Sequence, residues 1–152
     1  MLMYTPHTVT VYNAHEDLNT LKTEYVITVL KNVFLDIAQG ANVIKSGLES
    51  ADAATLFIPF AVDAVNGVTG ERQEYVEPKE YERIENKSLF WTVRSGDTSS
   101  SKACFFVKGE VVEPDADFQT INGRYDHVYR VSTVDIRDFG SPEMQHWEVG
   151  GR

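Results

Sequence analysis

The last quarter of the chain, Val128–Gly151, limits the possible folds more than any other stretch. It reads as two extended runs, Val128–Arg137 and Glu143–Val149, on either side of Asp138-Phe139-Gly140-Ser141-Pro142. Asp, Gly, Ser and Pro bend the backbone or hydrogen-bond to it, so the break predicts a turn. In the first run Tyr129 and Val131 share one face, whereas Val134 and Ile136 share the other. A β-bulge at Ser132-Thr133 is the cheapest way to accommodate that slip of apolar phase. In the second run Trp147 and Val149 point the same way, toward a core. A long bent strand returning as a short Trp-bearing strand closes a small barrel or sandwich.

The preceding residues supply strands for such a closure. Thr8–Tyr12 alternates, with Val9 and Val11 on one face, and Asn13–Leu21 reads as a polar hairpin loop. Glu24–Ile37 is the longest strand candidate, with Tyr25, Ile27, Val29, Val33, Leu35 and Ile37 on one face, interrupted by Lys31. A strand of that length bends across two sheets or around a barrel. Gln39–Asp52 reads as a loop. Ala54–Phe60 resumes with Leu56, Ile58 and Phe60 inward, and Pro59 places it at an edge or ends it. Asn66-Gly67 and Thr69-Gly70 mark turns, and Glu71–Val76 is a short exposed strand. Pro78–Ile84 fits one short helix, with Tyr81 and Ile84 on one side. Leu89–Val93 and Ala103–Val112 read as a hairpin whose polar tip is Ser95–Ser101. Asp115–Ile121 reads as a helical turn closed by Asn122-Gly123, with Phe118 and Ile121 as its apolar pair. The expected fold is therefore all-β: a small β-barrel or sandwich of six to eight mainly antiparallel strands, with long loops and one or two short helices. Residues 1–152 form one domain, long enough to bury a core without disulfides or metal.

Composition narrows the chemistry. The formal charge is −9, with 14 Lys and Arg against 23 Asp and Glu. Holding nucleic acid through its phosphates needs clustered Lys and Arg, and here they are scattered. DNA near this protein is expected to pass rather than bind. The apolar runs are too short to cross a bilayer, and no secretory signal is expected at the N-terminus. Cys104, the single cysteine, lies in the apolar run Ala103–Val107 and reads as a buried small hydrophobe. His7, His15, His127 and His146 have no metal-ligand spacing. Asp115-x-Asp117 lacks the further ligands of a calcium loop, and Gly140-Ser141-Pro142 lacks the second glycine of a nucleophile elbow. The expectation is a non-enzyme without cofactor or metal. His146, next to Trp147, is expected to face away from the core.

The aromatics say more. Tyr12, Phe57, Phe90 and Phe106 fall on the opposite parity from the core residues of their strands. They imply either a second packed layer or an interface.

Several short motifs resemble a known family. His7–Asn13 looks like the start of small tailed-phage head-completion proteins, also called head-closure or stopper proteins. Thr28–Phe34, Phe57-Ile58-Pro59, Trp91-Thr92-Val93 with Gly96-Asp97, Val107–Glu110 and His146–Gly151 resemble an uncharacterised family from phages and prophages of Gram-positive bacteria. Thr98–Ala103 departs from that pattern by lengthening a hairpin tip. The resemblance implies a β-barrel virion protein of the head–tail neck, made in the bacterial host cytoplasm. It implies a homo-oligomeric ring that joins portal or adaptor proteins to the tail, with packaged DNA passing through. Related possibilities are a tail terminator or a minor tail or capsid protein. A small-ligand or sugar-binding barrel is the rival of another class, and needs a concave pocket with exposed Trp. By elimination, the candidate interface or channel loops are Asn13–Leu21 with His15, Glu16 and Asp17, Gly40–Asp52 with Lys45 and Glu49, and Ser95–Lys102 with Asp97 and Lys102.

Overall fold

A computed structural model describes residues 4–17, 19–37, 53–95 and 104–152. In chain order the elements are β1 (His7–Glu16), β2 (Thr23–Ile37), β3 (Ala54–Pro59), β4 (Asp63–Asn66), β5 (Glu74–Tyr75), α1 (Pro78–Arg83), β6 (Phe90–Trp91), β7 (Cys104–Lys108), α2 (Phe118–Arg124), β8 (Val128–Arg137) and β9 (His146–Gly151). Single 3-10 turns lie at Lys87–Leu89 and Pro142–Met144.

The strand order β1-β7-β8-β9-β3-β2 returns to β1 through the β1–β2 pairing, so six antiparallel strands close a barrel. β4 is an extra strand on β2. The long β2 makes closure possible because its two halves have different neighbours. Thr28–Lys31 pair with β4, and Phe34–Ile37 pair with β3. Between them Asn32 adopts φ +66°, where the register against β1 skips from Val33–His7 to Lys31–Thr8. Asn tolerates that left-handed conformation better than a branched residue would. The bulge corrects the single-face reading of β2. Tyr25 and Ile27 face outward, whereas Val33 and Leu35 face the barrel interior with Leu30. β8 has its own irregularity where expected: Val131 pairs with Gly151 and Thr133 with Gly150, leaving Ser132 as the extra residue.

The interior is packed with side chains rather than open. Val9, Val11, Leu30, Leu56, Ile58, Phe106, Val131, Val149, Trp91 and Trp147 are all buried there. Trp91 and Trp147 meet edge-on at 5.5 Å, with Tyr75 against both. Outside the barrel, Tyr12, Ile27, Phe105 and Val107 carry a second apolar layer formed by Val111, Ala116 and Ile121. Two hydroxyls staple that layer to β1. Tyr12 Oη donates to the Val111 carbonyl at 2.7 Å and accepts from the Glu113 N–H at 3.1 Å. Thr10 Oγ1 donates to the Gly109 carbonyl at 2.7 Å and accepts from the Val111 N–H at 2.9 Å. Tyr12 thus faces a second layer as its parity allows.

Several boundaries differ from the sequence reading. β1 runs through Asn13–Glu16 instead of entering a loop, because Asn13 is buried and its amide donates to the Thr92 carbonyl at 2.8 Å. Leu89–Val93 is not the partner of β7: both edges of β7 are taken, by β1 and β8. Its middle instead forms β6, parallel to β5, while Leu89 is exposed in a 3-10 turn. Phe106 is interior and Phe105 exterior, the reverse of their expected parity. α2 begins at Phe118, where the Asp117 carboxylate caps it by accepting from the Thr120 N–H at 2.9 Å, and it continues through Asn122-Gly123 to Arg124. β9 starts at His146, after the 3-10 turn at Pro142, and extends to Gly151. β3 ends at Pro59 but is no edge strand, lying between β2 and β9.

Candidate functional site

Of the expected loop residues, three can be placed, and they do not form a long loop. His15 and Glu16 are the last residues of β1, paired with Glu24 and Thr23. Asp17 opens a tight turn in which its backbone bonds with Lys22 at 2.9 Å and Leu21 at 2.7 Å, and its carboxylate accepts from the Asn19 N–H. Leu21 takes φ +58° to complete the turn. Burial holds the His15 imidazole below its ordinary value, against the opposing pull of Glu24. Lys45, Glu49, Asp97 and Lys102 lie outside the described residues. Thus no channel loop is assembled from the residues in view.

The titratable groups are dispersed. His7 Nδ1 accepts from the Leu35 N–H at 3.0 Å, and His127 Nδ1 lies 3.3 Å from the Tyr129 hydroxyl. His146 contacts the Met144 carbonyl at 2.8 Å and Glu148 at 3.2 Å on the outer face of β9. Among the described residues no three His, Cys, Asp or Glu side chains gather as a metal site would need. Cys104 is buried in the barrel, and burial pushes its thiol up to about 11, which leaves it protonated and unreactive at neutral pH. A recess of about 590 Å³ lies between the β1–β2 hairpin and α2 and is lined by Lys22, Glu24, Tyr25, Asp115 and Asp117. Asp117 is already committed to capping α2, and its carboxyl is held below the usual range by the Thr120 N–H.

The surface is more informative than the recesses, because the two sides of the barrel differ. The β1–β7 side is covered by the chain's own second layer. On the β2–β3–β9 side a row of rings lies outside the barrel: Tyr4 to Phe34 at 6.2 Å, Phe34 to Phe57 at 5.7 Å, and Phe57 to His146 at 5.9 Å. His7 adds a ring 5.6 Å from Phe34. The row arises from register, since Phe34 pairs with Phe57 and Pro59 with His146. Its charged margin is the Arg137–Glu148 pair at 3.2 Å. Tyr4 is well exposed, and Phe34, Phe57 and His146 are half-buried. Phe57 was legible as an outward aromatic from parity. Phe34 is outward by the same parity, opposite Val33 and Leu35, and the bulge at Asn32 changes only the face of Tyr25 and Ile27.

The motifs quoted above fall on or beside β1, β2, β3, β6, the end of β7 and β9, with Gly96-Asp97 outside the described residues. Residues 4–152 match the model of a family of unknown function (DUF6751). No curated protein and no solved structure matches the chain.

Proposed function

We propose that the chain, which belongs to this family of unknown function, is a non-enzymatic structural subunit of a phage neck, acting in head closure as one member of a homo-oligomeric ring. The observation that carries the reading is the aromatic row Tyr4–Phe34–Phe57–His146, which no second layer covers among the described residues, on a barrel whose opposite side is covered. The six strands of the closed barrel are paired on both sides, so contacts made by the barrel itself run through side-chain faces. A ring contact is heterologous, and a partly exposed aromatic face meeting a different face of the next copy suits it. The packed interior also disfavours a ligand-binding barrel: Trp91 and Trp147 are buried core residues rather than pocket walls. The acidic composition suits a conduit, since a lining poor in Lys and Arg does not grip phosphates. No described helix is long and apolar enough to cross a membrane.

The test is quantitative mass spectrometry of purified phage particles that encode the chain. A copy number of one ring per particle is expected, with the subunit located at the neck by electron microscopy. Absence from the particle overturns the reading. A copy number in the hundreds assigns the chain to the capsid instead.

A further inference from the structure

From the β8–β9 hairpin apex we infer a second contact surface, which takes an apolar cleft rimmed by Lys and Arg on a different protein. It stands on the geometry of the apex and does not depend on the neck assignment. Ile136, Phe139 and Met144 are 46%, 69% and 39% exposed, so three large apolar side chains emerge within nine residues. Burying them is favourable, and nothing within the described chain does so.

The apex is held in shape by its own bonds. The Met144 N–H donates to the Ser141 carbonyl at 2.9 Å, and the Gln145 amide donates to the Gly140 carbonyl at 3.3 Å. The Phe60 N–H donates to the Gln145 carbonyl at 3.1 Å, which ties the apex base to the end of β3. Gly140, at φ +83°, supplies the left-handed residue the bend needs. A rigid apolar projection loses little conformational freedom on binding, which is the property of an anchor.

Charge selects the occupant. Asp135, Asp138 and Glu143 are exposed around the apolar residues. The nearby cation, Arg137, is engaged by Glu148 at 3.2 Å and Asp135 at 4.0 Å. At the apex these carboxylates disfavour nucleic acid, anionic lipid and the like apex of a second copy. A basic-rimmed cleft is both attracted and able to bury Phe139.

The test uses the full chain carrying a photoreactive benzoyl-phenylalanine at position 139, made in cells that build its natural assembly. Cross-linked peptides are mapped by mass spectrometry, and the identified partner is then purified for affinity measurement. The expected cross-link is to an apolar segment of another protein flanked by Lys or Arg. Phe139→Ser is expected to weaken that partner at least tenfold with an unchanged melting temperature. Asp138→Asn with Glu143→Gln is expected to flatten the salt dependence of binding. Cross-links to a second copy only, to a segment without basic residues, or to no protein overturn the inference. So does unchanged affinity of Phe139→Ser.

Discussion

Replacing Tyr12 by Phe tests whether the outer layer is held to the barrel by hydroxyls. The substitution keeps the ring that stacks on Phe105 at 4.7 Å and removes one oxygen, so no cavity of consequence is created. Two bonds are lost, to the Val111 carbonyl and from the Glu113 N–H. Each is worth about 1 kcal/mol net, and a buried group left unpaired costs ~1–3 kcal/mol. Val111 is buried and keeps that penalty, whereas half-buried Glu113 can turn its N–H to water. The expected loss is therefore about 2–3 kcal/mol by urea unfolding, or a fall of ~4–12 °C in Tm for a domain of this size. Hydrogen exchange should rise first in residues 109–125, while β3 and β9 keep their protection. Thr10→Val removes the neighbouring staple, to Gly109 and Val111. Because both staples hold one segment, the double variant should lose less than the sum of the singles. A Tyr12→Phe change under ~0.5 kcal/mol, or strictly additive losses, refutes the staple.

Gly151→Ala should destabilise by about 1–3 kcal/mol, because a Cβ there meets Tyr129 Cβ at 2.7 Å and Phe106 Cζ at 2.8 Å; a neutral Tm would show that the barrel seam yields. Trp147→Ala should cost ~3–5 kcal/mol by denaturant unfolding, since it removes the ring packed on Phe60, Tyr75 and Trp91. Burial raises Tyr12 and Tyr75 from 10.0 to about 12 and Cys104 from 9.0 to about 11. Folded values above the unfolded ones mean that this stability is full below about pH 9 and is lost as pH rises through 11 and 12. Tm measured from pH 8 to 12 should fall steeply above pH 10, and a flat profile counts against the buried phenols.

The sequence by itself determined the all-β class, the β8–β9 hairpin with its bulge at Ser132, and the burial of Trp91, Trp147 and Cys104. The strands, the bulge and the two Trp follow from local side-chain alternation, which backbone geometry converts directly into faces, and Cys104 follows from the apolar run around it. The tertiary structure alone decided the rest. In β7 the run Cys104–Val107 is buried on both faces, so alternation carries no signal and does not separate interior Phe106 from exterior Phe105. Asn13 looked like loop because its burial depends on the Thr92 carbonyl, 79 residues away. Likewise β6 could not be paired from sequence, because β5 joins it in parallel only after both edges of β7 are filled. The aromatic row needed closure as well: Tyr4, Phe34, Phe57 and His146 come from four segments, and only the strand register around the barrel makes them neighbours.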